Sequence, residues 1–387
     1  MTRPPTLSVR GIARAEHLAH LTLYPEVSHL QIPEWGGVKP DWEAESVGWF
    51  EEREPGGAAG PVMVAAGLVL YRSMPGTRRS LAYLPDGPSI DWRDRRLERW
   101  LEPLIAHVEA RGAFSLRIGP PLVVRHWEPA TVAEGIADSG VRHLHGMAAD
   151  HIDGTALEVG ERLRRLGWRP CADGDETGFG VGQPRFGCHV PLAGRSAREV
   201  REGLAPHWRQ ALDASDEAGV RVSWGTAADL PEFHQLYAAT AVRDGFKARP
   251  AAYFHRMWQE LNAEDGDRLR LYIAEHDAEM LSAALMISVG SRVWHSYAAS
   301  DPRARELRPS NALLWRMLGD ARAAGAGTYD LRSVSPLLTE DNRLLGRLRF
   351  KTGTGGRAVE YLGEWELPVG PQGKVLQRAL GVYLGRR

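Results

Sequence analysis

Lysine is rare in this sequence, and one lysine stands in a setting that suits reaction chemistry. Of the 48 lysine and arginine residues, only Lys39, Lys247, Lys351 and Lys374 are lysines. A lysine here indicates a place where a compact, rotatable ammonium is needed rather than a planar guanidinium. The alternating residues before Lys351 predict a strand that ends at a flexible glycine segment, residues 353–356. The alternative is a lysine on the solvated edge of that strand.

Basic residues are in excess around Lys351. Residues 301–357 contain eleven basic and six acidic side chains, although the whole chain has a formal net charge of -1. A local excess of Arg and Lys can bind phosphates in a protein without overall positive charge. This segment is therefore the best candidate face for a nucleic acid. Its glycines lack the Gly-x-x-x-x-Gly-Lys-Ser/Thr spacing of an ATP-binding loop.

A second anion site is predicted at Arg249-Pro250. Pro250 suits the first position of a helix, whose free amides favour an anion. Arg249 and Tyr253 then lie about one turn apart on one helix face. A guanidinium and a phenol directed at one point can hold a diphosphate, each charged contact contributing about 1.5–3 kcal/mol. The alternative is a helix start followed by a half-buried tyrosine.

The sequence shows no obvious general base and no metal site. Asp330, at the end of a predicted strand, either acts as a base or hydrogen-bonds the backbone and fixes its loop. Cys171 and Cys188 lack the spacing of paired zinc ligands, and no His-x-x-x-His run occurs. We therefore expect no metal and no organic cofactor.

The elements that would position these residues repeat along the chain. The order of strands, helix and strand is predicted at residues 62–69, 80–84, 93–111 and 114–118, and again at residues 268–275, 280–289, 293–298, 311–324 and 328–333. Further helices are predicted at residues 197–219 and 375–384. We predict an α/β (α+β) fold of two similar domains, residues 1–176 with 364–387 and residues 177–363.

Composition agrees with an ordinary soluble globular protein. Apolar residues make up 43% and charged residues 25% of the 387 residues, which is enough for well-formed cores. The sequence shows neither a signal peptide nor a run of about 20 apolar residues. We expect a cytoplasmic protein.

Several segments together resemble the FemABX family of nonribosomal peptidyltransferases. They occur in order between His29 and Leu367, at residues 30–39, 81–88, 240–246, 249–254, 294–300, 329–331 and 348–351. The resemblance implies two acyltransferase domains of the GNAT type in tandem. Many members have Asp-Leu-Gly-Gly or Asp-Leu-Arg-Gly where this chain has Asp330-Leu331-Arg332-Ser333. The long coiled-coil arm of the staphylococcal members is missing, which indicates the compact FemX type.

The resemblance also implies roles for individual residues. Lys351 matches a lysine that stabilises the developing oxyanion, and Phe350 beside it contributes to the catalytic cleft. Lys39 matches a lysine that holds the diphosphate of the acceptor. The resemblance assigns the acceptor to Arg249 and Tyr253 as well, and places Tyr297 in the lining of its cleft.

The implied reaction adds glycine or another small amino acid to a side-chain amine of a peptidoglycan precursor, forming the cross-bridge. Aminoacyl-tRNA is the implied co-substrate, and UDP-MurNAc-pentapeptide or lipid II is the acceptor. We further expect a monomer with transient contact to the inner face of the membrane. The alternatives are an amide ligase of antibiotic biosynthesis, an acyl-CoA-dependent N-acyltransferase and a noncatalytic binding protein. The sequence contains no convincing pyrophosphate loop of an acyl-CoA enzyme.

Overall fold

Two β-sheets and the helices packed on them make up the described part of the chain. The computed structural model describes residues 6–24, 26–51, 60–171, 182–371 and 373–376. The strands are β1 (Leu7–Gly11), β2 (Glu43–Glu51), β3 (Val62–Ser73), β4 (Ser80–Leu84), β5 (Ala113–Ile118), β6 (Val123–Trp127), β7 (His151–Ile152), β8 (Arg169–Pro170), β9 (Phe186–Pro191), β10 (Arg221–Gly225), β11 (Leu269–His276), β12 (Glu279–Val289), β13 (Arg292–Ser300), β14 (Thr328–Ser333), β15 (Arg357–Tyr361) and β16 (Trp365–Pro368). The α-helices are α1 (Arg14–Leu21), α2 (Glu34–Val38), α3 (Leu97–Ala110), α4 (Pro129–Ala137), α5 (Gly154–Arg165), α6 (Ala197–Glu202), α7 (Pro206–Glu217), α8 (Leu230–Asp244), α9 (Ala251–Leu261), α10 (Pro309–Ala323) and α11 (Leu345–Thr352).

The first sheet has the strand order β1-β2-β3-β4-β5-β16-β8. Its strands pair antiparallel, except for the parallel pair β4 and β5, which α3 connects. This helix buries Leu97, Trp100, Leu101, Leu104 and Val108 at the three- and four-residue spacing of an amphipathic helix. That spacing gives α3 one continuous apolar face.

The second sheet repeats this arrangement within the order β10-β11-β12-β13-β14-β9-β15-β6-β7. Here β13 and β14 form the parallel pair, and α10 connects them. The repetition confirms the predicted fold class, an α/β fold with two GNAT-like domains in tandem. The longest α-helices of the described residues span 15 residues, and none of them forms a coiled-coil arm.

Strands from the end of one half of the chain enter the sheet of the other half. β16 lies in the first sheet beside β5, whereas β6 lies in the second sheet beside β15, and β7 pairs with β6. Since β8 returns to the first sheet, the chain crosses between the sheets four times, after β5, β7, β8 and β15. The boundaries at residues 176, 177 and 364 stay a prediction.

The two halves also share a buried apolar cluster. Trp35 of α2 and Leu68 of β3 belong to the same cluster as Phe254 of α9 and Trp294 of β13. Glu34 is fully buried at this junction and forms an ion pair with Arg268. This shared core fixes α2, which ends beside Lys39, against α9.

Two predictions of secondary structure are wrong, one of a helix and one of a strand. The helix predicted at residues 197–219 is two helices, α6 and α7, because Pro206 supplies no amide donor and suits a first helical turn. Lys351 lies in the last turn of α11 and not at the end of a strand. Of the helix predicted at residues 375–384, residues 377–384 lie outside the described part.

Candidate active site

Five of the seven predicted site residues line one cleft, whereas Tyr253 and Asp330 are not among its lining residues. A cavity of about 650 Å³ is lined by Lys39, Arg249, Tyr297, Phe350 and Lys351. These residues come from the end of α2, the segment before α9, the strand β13 and the helix α11. Lys39 therefore shares one cavity with residues that are 210 or more positions away in the sequence.

Lys351 points inward from the last turn of α11. Its Nζ donates a hydrogen bond of 2.7 Å to the carbonyl oxygen of Ser333, at the end of β14. Burial is the main reason that the pKa of Lys351 is lowered to about 8. At pH 7 the side chain is therefore mostly charged, although its pKa lies only about one unit higher. Its partly buried surroundings disfavour this charge. An anion formed beside Lys351 would stabilise this ammonium.

Close packing holds this end of α11 in place. Trp208 of α7 is fully buried, and its Nε1 donates to the carbonyl oxygen of Phe350 at 2.8 Å. A Cβ atom added to Gly353 would lie 2.4 Å from Cδ1 of Trp208. Only glycine permits that approach, as expected of a glycine segment that packs closely. The Phe350 ring packs on Trp208 with a centroid distance of 4.8 Å.

Cations and aromatic rings form another wall of the cleft. The Lys39 ammonium lies 5.0 Å from the ring centre of Trp35 and 5.3 Å from that of Tyr253. The Arg249 guanidinium lies 5.4 Å from the Tyr253 ring. Burial, and secondarily the Arg249 charge, lower the pKa of Lys39 to about 8. Among the described residues, no acidic side chain forms an ion pair with Lys39 or Arg249, so this wall favours an anionic ligand.

The helix geometry assumed for Arg249 needs a correction. Pro250 caps α9 in an extended conformation, and the helix begins at Ala251. Arg249 therefore precedes the helix and does not share one of its faces with Tyr253. The extended cap residue nonetheless leaves the guanidinium over the Tyr253 ring.

A β-bulge directs Tyr297 into the cleft. Ala284 pairs with Ala298 and Leu285 pairs with Ser296, so Tyr297 is the extra residue of β13. Its φ of 44° lies in the left-handed region that non-glycine residues rarely adopt. The Tyr297 hydroxyl lies 3.0 Å from that of Tyr253. The bulge thus places Tyr297 of β13 beside Tyr253 of α9.

Asp330 has the contacts of a structural carboxylate. It is buried, accepts a 2.6 Å hydrogen bond from the backbone N–H of Arg332, and lies 3.5 Å from the Arg292 guanidinium. Burial alone would raise its pKa, but His189 and the two arginines hold that pKa well below its usual value. So weak a base is poorly suited to remove a proton from an amine. Of the two roles left open, the geometry favours fixing the loop.

Sequence reasoning missed two histidines that line the cleft. His295 lies 3.4 Å from the Tyr329 hydroxyl, and burial together with the Lys351 charge lowers its pKa to about 3. His29 packs between Trp35 and Trp294, and burial lowers its pKa well below the usual value. Both rings are therefore neutral at pH 7. As isolated histidines they carry no spacing signal, although each lies in or beside a segment of the resemblance.

Comparisons with known proteins identify the family of the chain. A family model described as the FemAB family matches residues 12–277 and 261–379. The UDP-N-acetylmuramoylpentapeptide-lysine N(6)-alanyltransferase of Weissella viridescens is 25% identical over 365 residues, covering 94% of this chain and 95% of that protein. The lipid II:glycine glycyltransferase of Staphylococcus haemolyticus is 22% identical over 427 residues, covering 92% and 91%.

One solved structure shares the fold over nearly the whole chain. The crystal structure of FemX superposes with a TM-score of 0.76 and 18% identity, covering 96% of this chain and 99% of that one. Among the helices in the described ranges, none has the length and apolar run that crossing a membrane requires.

Proposed function

The chain belongs to the FemAB family, and from this premise we propose that it transfers an amino acid from aminoacyl-tRNA to a side-chain amine of a peptidoglycan precursor. The protein is an aminoacyltransferase, and the names of its relatives support cross-bridge synthesis as its role. The observation that supports the finer proposal is a single cleft that is lined by Lys39 and Arg249, which have no acidic partner in the described ranges, and by the inward-pointing Lys351 ammonium. The proposed donors are glycine or another small amino acid.

The acceptor binds along the wall formed by Lys39, Arg249, Tyr253 and Tyr297. Two cations face the same aromatic ring without an acidic partner in the described ranges. A diphosphate neutralises both charges and accepts hydrogen bonds from them, whereas a neutral ligand leaves their repulsion in place. This charge pattern favours an acceptor linked through a diphosphate, either to a nucleotide or to a lipid.

The transfer step forms an amide at the expense of an ester. The acceptor amine attacks the ester carbonyl carbon, the C–N bond forms, and the carbonyl oxygen becomes an oxyanion. The Lys351 ammonium stabilises this oxyanion, because it interacts more strongly with the full negative charge than with the neutral carbonyl of the ground state. The C–O bond to the ribose then breaks, and the ribose oxygen leaves with a proton. In this proposal the amine gives its proton to water or to the substrate's own phosphate or carboxylate.

Mass spectrometry of the acceptor tests the proposal. The protein is incubated with pools of charged tRNA and, separately, with UDP-MurNAc-pentapeptide or lipid II. We expect the mass of one amino-acid residue to be added to an acceptor, and no addition with uncharged tRNA. If no charged tRNA gives a mass gain on either acceptor, the proposal is wrong.

Parallel incubations with acyl-CoA in place of charged tRNA test the alternative of an acyl-CoA-dependent N-acyltransferase. Acylation from acyl-CoA in the absence of tRNA would replace the proposed donor. We expect none.

A further inference from the structure

The end of α8 exposes apolar side chains at the mouth of the acceptor cleft. Val242 is 85% exposed and Phe246 is 39% exposed. Gly245 ends the helix with a φ of 73°, and the Phe246 N–H donates to the carbonyl oxygen of Ala241 at 3.1 Å. This hydrogen bond is characteristic of a Schellman motif, and it holds Phe246 beside the last turn of α8. Phe246 also lines the cleft, so the exposed apolar end adjoins the acceptor site.

Positive charge surrounds these apolar side chains. Residues 242–249, called the α8 tip below, contain three basic residues and one acidic residue. The acidic residue, Asp244, is already paired with Arg243 and with Arg347 of α11. Lys247 and Arg249 are exposed, and neither has an acidic partner among the residues that the structure describes. The tip is therefore cationic in a chain whose formal net charge is -1.

Exposed apolar and cationic side chains together fit the surface of an anionic membrane. Single exposed apolar residues are ordinary, but here two lie on one helix end beside unpaired cations. An aliphatic side chain gains little from a nucleic acid, whereas it enters the headgroup region of a bilayer and leaves the neighbouring cations at the anionic surface. The tip is also too small for a stable protein interface, which needs several hundred Å² from each partner.

We propose that the α8 tip contacts the anionic surface of the membrane and that the acceptor is a lipid-linked diphosphate taken from that surface. This inference rests on the proposed function, because it assigns the lipid-linked form to the same acceptor cleft. With one valine, one phenylalanine and a few cations, the contact is weak and reversible. A tip of this strength lets the enzyme leave the membrane between encounters.

Vesicle binding tests the surface directly. The full-length protein is sedimented with large vesicles of phosphatidylcholine, with and without phosphatidylglycerol. We expect binding only to the anionic vesicles, weakened about fivefold by Lys247→Gln, which removes one cation near the surface. Val242→Ser should weaken it by a similar factor. Val242→Trp should strengthen it, because tryptophan favours the membrane interface.

The chain offers a matched control of the same two residue types. Lys374 and Val375 are adjacent and exposed, with Val375 at 70%, and they lie outside the α8 tip. Lys374→Gln and Val375→Ser should leave vesicle binding unchanged. Equal losses in the tip and control variants, or unchanged binding of both tip variants, would overturn the proposal.

Turnover separates this inference from the proposed function. Val242→Ser and Lys247→Gln should raise the KM for lipid-linked acceptor in vesicles about fivefold, while kcat/KM for a soluble UDP-linked acceptor stays unchanged. A wild-type enzyme that uses only the soluble acceptor contradicts the inference and leaves the proposed function intact. An enzyme that uses neither acceptor contradicts the proposed function, while the vesicle assay still measures the surface.

Discussion

Replacing Lys351 with methionine removes the charge of this side chain while keeping most of its volume. If the ammonium stabilises the oxyanion, its loss should lower kcat about 10²- to 10³-fold, the effect of removing one oxyanion donor. The KM for the acceptor should change little, because the proposed acceptor contacts are made by Lys39 and Arg249 and not by Lys351. Wild-type kcat should fall as the pH rises through about 8, where Lys351 loses its proton. The methionine variant should lack this alkaline decline.

The same substitution should make the folded protein more stable at pH 7. The pKa of Lys351 is lowered from 10.5 to about 8, which corresponds to about 3 kcal/mol against folding while the lysine is charged. The carbonyl of Ser333 loses its donor in the variant, which offsets about 1–2 kcal/mol of that gain. A net gain of about 1–2 kcal/mol in the free energy of unfolding is expected at pH 7.

The sign of the pH dependence gives a second check. Between pH 8 and 10.5 the unfolded chain binds more protons at this position than the folded chain, so wild-type stability contains a contribution that rises with pH. The variant lacks that contribution, and its advantage should shrink over this range. Urea denaturation at pH 7 and pH 9.5 measures the stability gain of the variant and its decrease with pH. Steady-state kinetics on both proteins measures the loss of kcat. A variant that is less stable at pH 7, or that loses acceptor binding as strongly as turnover, would refute this reasoning.

Three further substitutions test the acceptor wall and the support of the site. Arg249→Ala should raise the KM for the acceptor about 10- to 100-fold with kcat nearly unchanged, since one charged contact is lost; a loss confined to kcat would contradict this role. Gly353→Ala, just after α11, should lower the free energy of unfolding by about 1–3 kcal/mol through contact with Trp208. In contrast, the Cβ of Gly346→Ala within α11 meets no atom within 4 Å, and this variant should be neutral or stabilising in thermal melts. Asp330→Asn should cost about 3–5 kcal/mol because it leaves neighbouring guanidinium groups without their carboxylate. Since the pKa of Asp330 is held low, this contribution should persist above about pH 4 and disappear as the pH falls further.

Turn residues and glycines made the bounds of several strands predictable. The bounds of β4 and β14 agree with the prediction at both ends, because turn residues and glycines delimit short apolar runs. The entry of β6 into the second sheet was not predictable, because strand pairing depends on long-range contacts. The same limit applies to the bulge at Tyr297, which a strand pattern does not reveal.

The position of Lys351 on a helix was missed although a signal was present. The alternation of leucine and arginine before Phe350 favours a strand. The buried residues are Leu345, Leu348 and Thr352, which follow the three- and four-residue spacing of a helix packed on α4 and α7. The residues of the cleft themselves came from the family resemblance, since the sequence pattern alone does not place Lys39 near Lys351.

The position of the added amino acid tests the central claim most directly. Tandem mass spectrometry of acceptor incubated with enzyme and charged tRNA identifies which amine of the pentapeptide stem gains a residue. We expect one added residue on the side-chain amine of the third stem residue, and a rate that drops at least 100-fold in the Lys351→Met variant. Addition elsewhere, addition without charged tRNA, or an unchanged rate in the variant would contradict it.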